Sequence, residues 1–393
     1  MTKHKNLNIA IVCDAVTDCV AGSFVSTLRF SELLAQKGHK VIFITGRSPQ
    51  NPKDNFYKNI IRTYRFHGVL LPKTDGQLYI SFPSSKKVAK ILRDEQIDVI
   101  HIMIPTPSAV TSMKAAKLLG VKIVAHSHTQ PENLTMHIPG QFIQKPLNHL
   151  FYKYLSWLYR KADALVYPTE FAQKLLHRLE THSQIHIISN GVDTGKFKKV
   201  ETEAFFQKFN LPRNTRNILY VGRLHPEKSV DTLIKAIPQI LAGDPHVHFF
   251  IVGYGHLDTK LIKLAKDLGV AKNITFLGKL SDEDLVMAYS ACDIFVLPSL
   301  VELEGMVVLE AMSCGKPVIV ANSKNSASTY FVNGNGLLFE PENHADLARQ
   351  VLFLLSDHSK LARMGEISLE KSKQYDINES VMRLEKLYRS VLK

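Results

Sequence analysis

Four residues in the second half of the chain, Arg223, Lys228, Glu302 and Glu310, set cations and carboxylates at spacings that suit a ligand with both phosphate and hydroxyl groups. Arg223 and Lys228 stand five apart in Val221-Gly222-Arg223-Leu224-His225-Pro226-Glu227-Lys228, just after a β-rich run. From such a loop they can reach a diphosphate from two sides, or they can form an ordinary solvated basic loop. Glu302 and Glu310 lie within the stretch 297–320, LPSLVELEGMVVLEAMSCGKPVIV, where they frame a loop. It reads as a strand end stopped by Pro298, a polar loop, a helix over 306–313, a stop at Gly315 and a second buried strand. A loop that feeds a helix next to Gly305 presents backbone N–H groups around Gly305, Met306 and Val307 together with the positive end of the helix dipole, which favours phosphate. Glu310 lies about one turn beyond Met306 at ~3.6 residues per turn, so its carboxylate can face the same crevice and accept from sugar hydroxyls. The plain alternative is a pair of solvated surface acids.

Other constellations have weaker chemistry. Gly253 and Gly255 end a strand and suit a tight turn. Asp282 and Asp284 have the form of a metal-binding D-x-D, but Ser281 before them reads as a helix N-cap and the acids as first-turn residues favoured by the dipole. His126 and His128 close a strand two residues apart, and no third ligand has the spacing that zinc needs. The cysteines, Cys13, Cys19, Cys292 and Cys314, are scattered and form no C-x-x-C pair, which argues against metal or disulfide chemistry and for a reducing compartment.

The elements that must position these residues alternate along the chain. Strands are expected over 8–13, 40–45, 99–104, 122–126, 164–167 and 186–188, with helices over 24–37, 84–96 and 109–119. The first strand–loop–helix–strand unit carries Gly22 where doubly wound folds hold phosphate, without a G-x-G-x-x-G fingerprint. Ser189 to Asp193 is rich in turn residues and is a plausible hinge. The alternation restarts with strands over 218–221, 248–252, 274–277, 294–298 and 318–321, followed by helices over 346–356, 359–372 and 379–392. With 393 residues, the chain fits two α/β domains, each large enough for its own core.

Charge divides unevenly between the two halves. Residues 1–193 hold 24 Lys and Arg against 13 Asp and Glu, and the remainder hold 25 against 23. The basic excess of the first half implies an anionic partner. No zinc-finger spacing, RNP-type aromatic motif or basic arm points to nucleic acid, so lipid is the better reading. No apolar run reaches the ~20 residues of a membrane span, and the N-terminus offers no cleavable signal region.

Glu302 and Glu310, eight apart with Gly305 between them and Glu-Ala-Met-x-x-Gly-x-Pro-Val following, resemble the signature of glycosyltransferase family 4, the retaining GT-B enzymes. Leu303-Glu304 stands where the commonest form has Gly-Phe. Gly222-Arg223-Leu224 with Lys228 is similar to the family's cation element, with Ser229 replacing a glycine. The resemblance implies two Rossmann-like domains facing each other across a cleft: an acceptor domain over 1–193, a nucleotide-sugar domain over 194–375, and a helix over 376–393 returning to the first. It implies transfer of a sugar, with retention, from a nucleotide diphosphate to an acceptor hydroxyl. It implies no cofactor and no catalytic metal.

In that reading Arg223, Lys228 and the amides of Gly305, Met306 and Val307 stabilise the leaving diphosphate. Glu310 binds the ribose, and Glu302 and His128 orient the donor sugar. Gly22, Gly253 and Gly255 let backbone approach the nucleotide, and Lys279 and Leu280 read the base edge. UDP-glucose or UDP-galactose is the expected donor.

The acceptor half carries two features suited to a membrane surface. Phe142, Ile143, Leu147, Leu150, Phe151, Tyr154, Leu155 and Leu158 recur at helical spacing over 141–161, with Lys145, Lys153, Arg160 and Lys161 elsewhere on the helix. That helix can lie in a membrane interface or pack its stripe on the first domain's sheet. Lys86, Lys87, Lys90 and Arg93 form a second basic cluster. The expectation is a cytoplasmic enzyme, peripheral on the inner face of the membrane, glycosylating a lipid such as diacylglycerol. The alternatives are a soluble glycosyltransferase of capsule, lipopolysaccharide or exopolysaccharide synthesis, and a catalytically silent membrane-binding protein.

Overall fold

The computed structural model describes residues 5–14, 16, 22–71, 78–136, 138, 140–176 and 184–393. In the first half the elements run β1 (Asn8–Val12), α1 (Gly22–Gln36), β2 (Lys40–Gly46), β3 (Asn55–Tyr57), β4 (Ile61–Phe66), β5 (Gly68–Leu70), β6 (Tyr79–Ser81), α2 (Ser85–Asp94), β7 (Val99–Ile102), α3 (Pro107–Leu119), β8 (Lys122–His126), α4 (Pro131–Thr135), α5 (Gln141–Tyr159), β9 (Ala164–Tyr167), α6 (Glu170–Leu176) and β10 (Gln184–Ile187). Then follow α7 (Glu203–Lys208), β11 (Arg216–Val221), α8 (Val230–Gly243), β12 (Val247–Val252), α9 (Asp258–Asp267), β13 (Ile274–Gly278), α10 (Asp282–Ala291), β14 (Ile294–Leu297), β15 (Val301–Glu302), α11 (Met306–Ser313), β16 (Val318–Ala321), β17 (Asn325–Ser326), β18 (Gly336–Phe339), α12 (His344–Leu355), α13 (His358–Ser372) and α14 (Ile377–Val391).

The chain divides into two compact units, Met1–Asn190 with Asn378–Lys393, and Gly191–Ile377. The first unit is built on an eight-stranded sheet of order β10-β9-β8-β7-β1-β2-β4-β3, parallel except for β3. Its central strands are buried along nearly their whole length, as parallel strands covered on both faces must be. β4 at the margin instead alternates, with Ile61, Thr63 and Arg65 buried and Arg62 exposed. α14 belongs to this unit: Tyr388 is fully buried, Glu385 lies 3.5 Å from Lys37 and from His39, and Arg389 donates to the Lys5 carbonyl.

The second unit has a six-stranded parallel sheet of order β13-β12-β11-β14-β16-β18 over a continuous core. Local chemistry sets its helix starts: the Ser281, Asn343 and Asp357 side chains each accept an N–H of the first turn. The unit begins earlier than the expected boundary at 193. Val192 donates to the Tyr375 carbonyl and accepts from Ile377 N–H, which binds 192–194 into the second unit. The expected final helix likewise begins earlier, at Ile377.

The strands expected over 8–13, 99–104 and 294–298 end one or two residues sooner, where the ladder gives way to loop, and that over 186–188 lies at Gln184–Ile187. The helix expected over 109–119 starts at Pro107, a residue whose missing N–H suits a first turn. Residues 47–82 yielded no strand by periodicity, yet they hold β3 to β6, whose pieces are of three residues apart from β4. Ala21 and Cys19 lie outside the described residues. Cys13, Cys292 and Cys314 are buried thiols.

Candidate active site

In the second unit, the end of β11 and the loop before α11 supply the cations and carboxylates. Arg223 follows β11 and donates from Nη2 to Glu227 Oε1 at 2.9 Å, while Glu227 is wholly buried and its backbone carbonyl accepts from Leu300 N–H. Lys228 Nζ sits 2.6 Å from Glu302 Oε1, both side chains mostly covered. The residues expected to hold a diphosphate and a sugar are therefore neighbours, although 74 positions separate them.

Glu302 is fixed by a short parallel pair, β15 with β17, in which it stands opposite Ser326. Leu303 and Glu304, the departure from the commoner Gly-Phe, are both buried, and Ser328 donates to the Glu304 carbonyl. Gly305 caps α11 with φ of +94°, and a Cβ there would lie 2.1 Å from Ser328 Oγ, so the cap requires glycine on both counts. The first-turn amides of Met306 and Val307 are N-terminal groups of an eight-residue helix.

Glu310, one turn into α11, is buried and accepts from Tyr289 Oη at 2.9 Å. Burial and the neighbouring Glu310 push the Tyr289 phenol well above its usual range, so it keeps its proton and remains a donor. Tyr289 sits in the core of the unit with Phe197 edge-on to it. Its link to Glu310 has no periodic signature, because the two residues sit on different helices.

Gly253 and Gly255 have a packing role that their motif did not disclose. A Cβ at Gly253 would meet the Gly222 carbonyl at 1.8 Å, and one at Gly255 would meet the Leu224 carbonyl at 2.5 Å. These glycines let the β12 loop nest against the loop that carries Arg223. Lys279, exposed, and Leu280, half-buried, connect β13 to α10. Asp284 N–H donates to the Ser281 cap, Asp284 takes Lys208 at 2.7 Å and Asp282 takes Lys196 at 2.6 Å, which accounts for both acids as helix-start residues. Among the described residues no cluster of three or more His, Cys, Asp or Glu is arranged to hold a metal ion.

In the first unit, Gly22 is the exposed first residue of α1. His128 follows β8, half-buried, with its ring stacked on that of His126 at 3.9 Å. Burial pushes the His128 imidazole down to about 3, so the ring is neutral at physiological pH. Beyond it, α4 is tied to α5 by Tyr152 donating to Glu132 and Thr135 donating to Asn148.

The stripe expected over 141–161 divides along its length. Leu155, Leu158 and Tyr159 pack into the unit, while Phe142 is 95 % exposed and Ile143, Leu150 and Trp157 also face outward. Lys161 lies over the Trp157 ring at 2.9 Å. No helix of the described residues is long and apolar enough to cross a membrane.

Comparison with known proteins gives the family and the fold. Residues 20–196 match Glycosyltransferase Family 4, and residues 201–371 match Glycosyl transferases group 1. A GDP-mannose-dependent monoacylated alpha-(1-6)-phosphatidylinositol monomannoside mannosyltransferase of Corynebacterium glutamicum is 30% identical over 291 residues, 71% of this chain and 72% of that protein. An alpha-monoglucosyldiacylglycerol synthase of Streptococcus pneumoniae is 23% identical over 377 residues, 93% of this chain and 83% of that one. Anabaena HepE, crystallised with UDP-glucose, shares the fold with a TM-score of 0.78 at 19% identity, covering 98% of this chain and all of that one. The chain belongs to glycosyltransferase family 4 and is a glycosyltransferase of the GT-B fold.

Proposed function

We propose that this enzyme moves a hexose, with retention at the anomeric carbon, from UDP-glucose or UDP-galactose to a hydroxyl of a membrane lipid such as diacylglycerol. As the glycosidic bond breaks, charge gathers on the departing diphosphate. Arg223, Lys228 and the amides of Gly305, Met306 and Val307 stabilise it by preorganised electrostatics, without a resident cofactor or metal. Glu310 accepts from the ribose hydroxyls, and Glu302 and His128 orient the sugar. Lys279 and Leu280 border the base. The observation that carries the donor half is the Lys228–Glu302 contact, which joins the cation loop to the loop feeding α11.

The acceptor assignment rests on surface chemistry. Phe142, Ile143, Leu150 and Trp157 are exposed on α5 beside Lys145 and Lys153, and Lys86, Lys87 and Lys90 stand on α2. Exposed aromatic and aliphatic side chains among lysines suit an anionic bilayer, near which each lysine adds ~1 kcal/mol. The site of action in this reading is the inner face of the cytoplasmic membrane.

Incubating the protein with radiolabelled UDP-glucose or UDP-galactose and diacylglycerol in phosphatidylglycerol vesicles tests it. The expected result is a labelled glycolipid, with flotation lost when Lys86, Lys87 and Lys90 are changed to Gln. Transfer only to soluble acceptors, with no flotation, would replace the lipid acceptor by a soluble saccharide.

A further inference from the structure

His128 is the end of a column of rings. His101, on β7, stacks on His126, at the end of β8, with centroids 5.5 Å apart and planes 12° from parallel. His126 stacks on His128 at 3.9 Å and 21°, and Phe30 from α1 lies 6.1 Å from His126 at 24°. The register pairs His101 with Val124, so His101 and His126 are diagonal neighbours on one face of the sheet. At the far end of the column, Tyr388 Oη lies 2.6 Å from His101 Nδ1, its ring edge-on to the imidazole at 5.6 Å.

Hydrogen bonding alone does not hold these rings. Among the described residues, His101 Nε2, both nitrogens of His126 and Nε2 of His128 are enclosed with no hydrogen-bond partner. Such groups are uncommon in folded proteins and call for an explanation. Within the column, the Tyr388 contact is a hydrogen bond able to fix the angle of the His101 ring, and stacking can pass that angle on.

We propose that Tyr388 is a positioning residue for His128, acting through His101 and His126, so that the C-terminal helix sets the orientation of a residue at the sugar site. The role assigned to His128 rests on the function proposed above. The column itself does not.

Burial pushes His101 and His128 to about 3 and His126 well below its ordinary value, with His128 adding to the lowering at His101, and His128 and His101 adding to it at His126. The nearby charged groups of α14 are turned away: Glu385 faces Lys37 and His39, and Arg389 faces Glu385 and the Lys5 carbonyl. Neutrality therefore depends on the column staying closed. Loosening it admits water and returns His128 towards the ordinary value near 6.5.

The test uses the full-length protein labelled with ¹⁵N-histidine, His128 being assigned by comparison with His128→Gln. In the unmodified protein the His128 nitrogens should stay neutral from pH 8 to 5. In Tyr388→Phe, which keeps the ring and removes the hydroxyl, His128 should titrate between pH 5 and 7. His101→Phe, which keeps the stack and removes the ring nitrogen that meets Tyr388, should give the same change, and the double variant no further one.

With UDP-glucose as probe, kcat should fall about tenfold in Tyr388→Phe with KM within about twofold, the pattern of a lost transition-state alignment. An unchanged His128 titration in either folded variant overturns the proposal. Should neither variant fold, a His128 signal in the unmodified protein that titrates between pH 5 and 8 overturns it, and one that stays neutral upholds the closed column. A changed titration with normal UDP-glucose turnover upholds the column and instead removes His128 from the reaction.

Discussion

Around Arg223, Lys228 and Glu302 the second unit sets cations against covered carboxylates, whereas the first unit stacks His128 on rings that carry no charge. The proposed function gives the difference a physical reason. A diphosphate arrives with its own charge, and cations already held by carboxylates are placed to meet it without first finding a partner. A sugar hydroxyl is neutral, so a neutral imidazole in an apolar column can meet it without a desolvated ion. The outer surfaces differ as well: of the large exposed hydrophobics, Phe56, Ile60, Val69, Leu70, Phe82, Phe142, Leu150 and Trp157 belong to the first unit, against few in the second. A protein that holds a bilayer with one half would distribute them so.

The contrast breaks most easily at the cations. Arg223→Ala should lower kcat with UDP-glucose by ~10²–10³-fold, the size of losing one preorganised donor at a developing anion. A loss under tenfold would mean that the charged half does not meet the diphosphate. Steady-state turnover on refolding-competent protein, checked by circular dichroism, decides it.

The uncharged half gives a pH signature of its own. His101 and His126 are buried and bind protons more weakly than in the unfolded chain, where the value is near 6.5. The unfolded state then binds more protons, so stability is full above about pH 6.5 and falls as the pH drops towards 3. Each ring contributes at most ~1.4 kcal/mol per pH unit, so urea titrations at pH 7.5 and 5.5 should differ by ~2 kcal/mol or more. No difference would mean that these rings are charged or solvated when folded.

A smaller effect sharpens the donor side. Tyr289→Phe removes the hydroxyl that fixes Glu310 while keeping the core ring, at a cost of ~1 kcal/mol. Calorimetric titration with UDP should show a Kd about fivefold weaker, and the loss should vanish in a Glu310→Ala background. Persistence there would place Tyr289 in the core alone.

Much of this was legible in the linear chain. The buried strands announced themselves as β-branched runs, and Ser281 as a cap, because a parallel strand and a helix start are each specified within a few residues. Arg223, Lys228, Glu302 and Glu310 were legible by spacing and family likeness, but not the pairing of Lys228 with Glu302. Within residues 47–82, β3, β5 and β6 stayed opaque because strands of three residues offer too few alternations to register a period, and β4 because Thr63 and Arg65 stand on its buried face and break the apolar alternation.

By itself, then, the sequence determined the alternating α/β elements and the glycine at the α11 cap, and it singled out the residues proposed to meet a diphosphate, all of which depend on near neighbours along the chain. Tertiary structure alone decided that Tyr289 restrains Glu310, that Lys228 meets Glu302 across 74 positions, and that Tyr388 reaches His101 across 287. Those contacts depend on which faces of separate elements pack together, and no local periodicity encodes that.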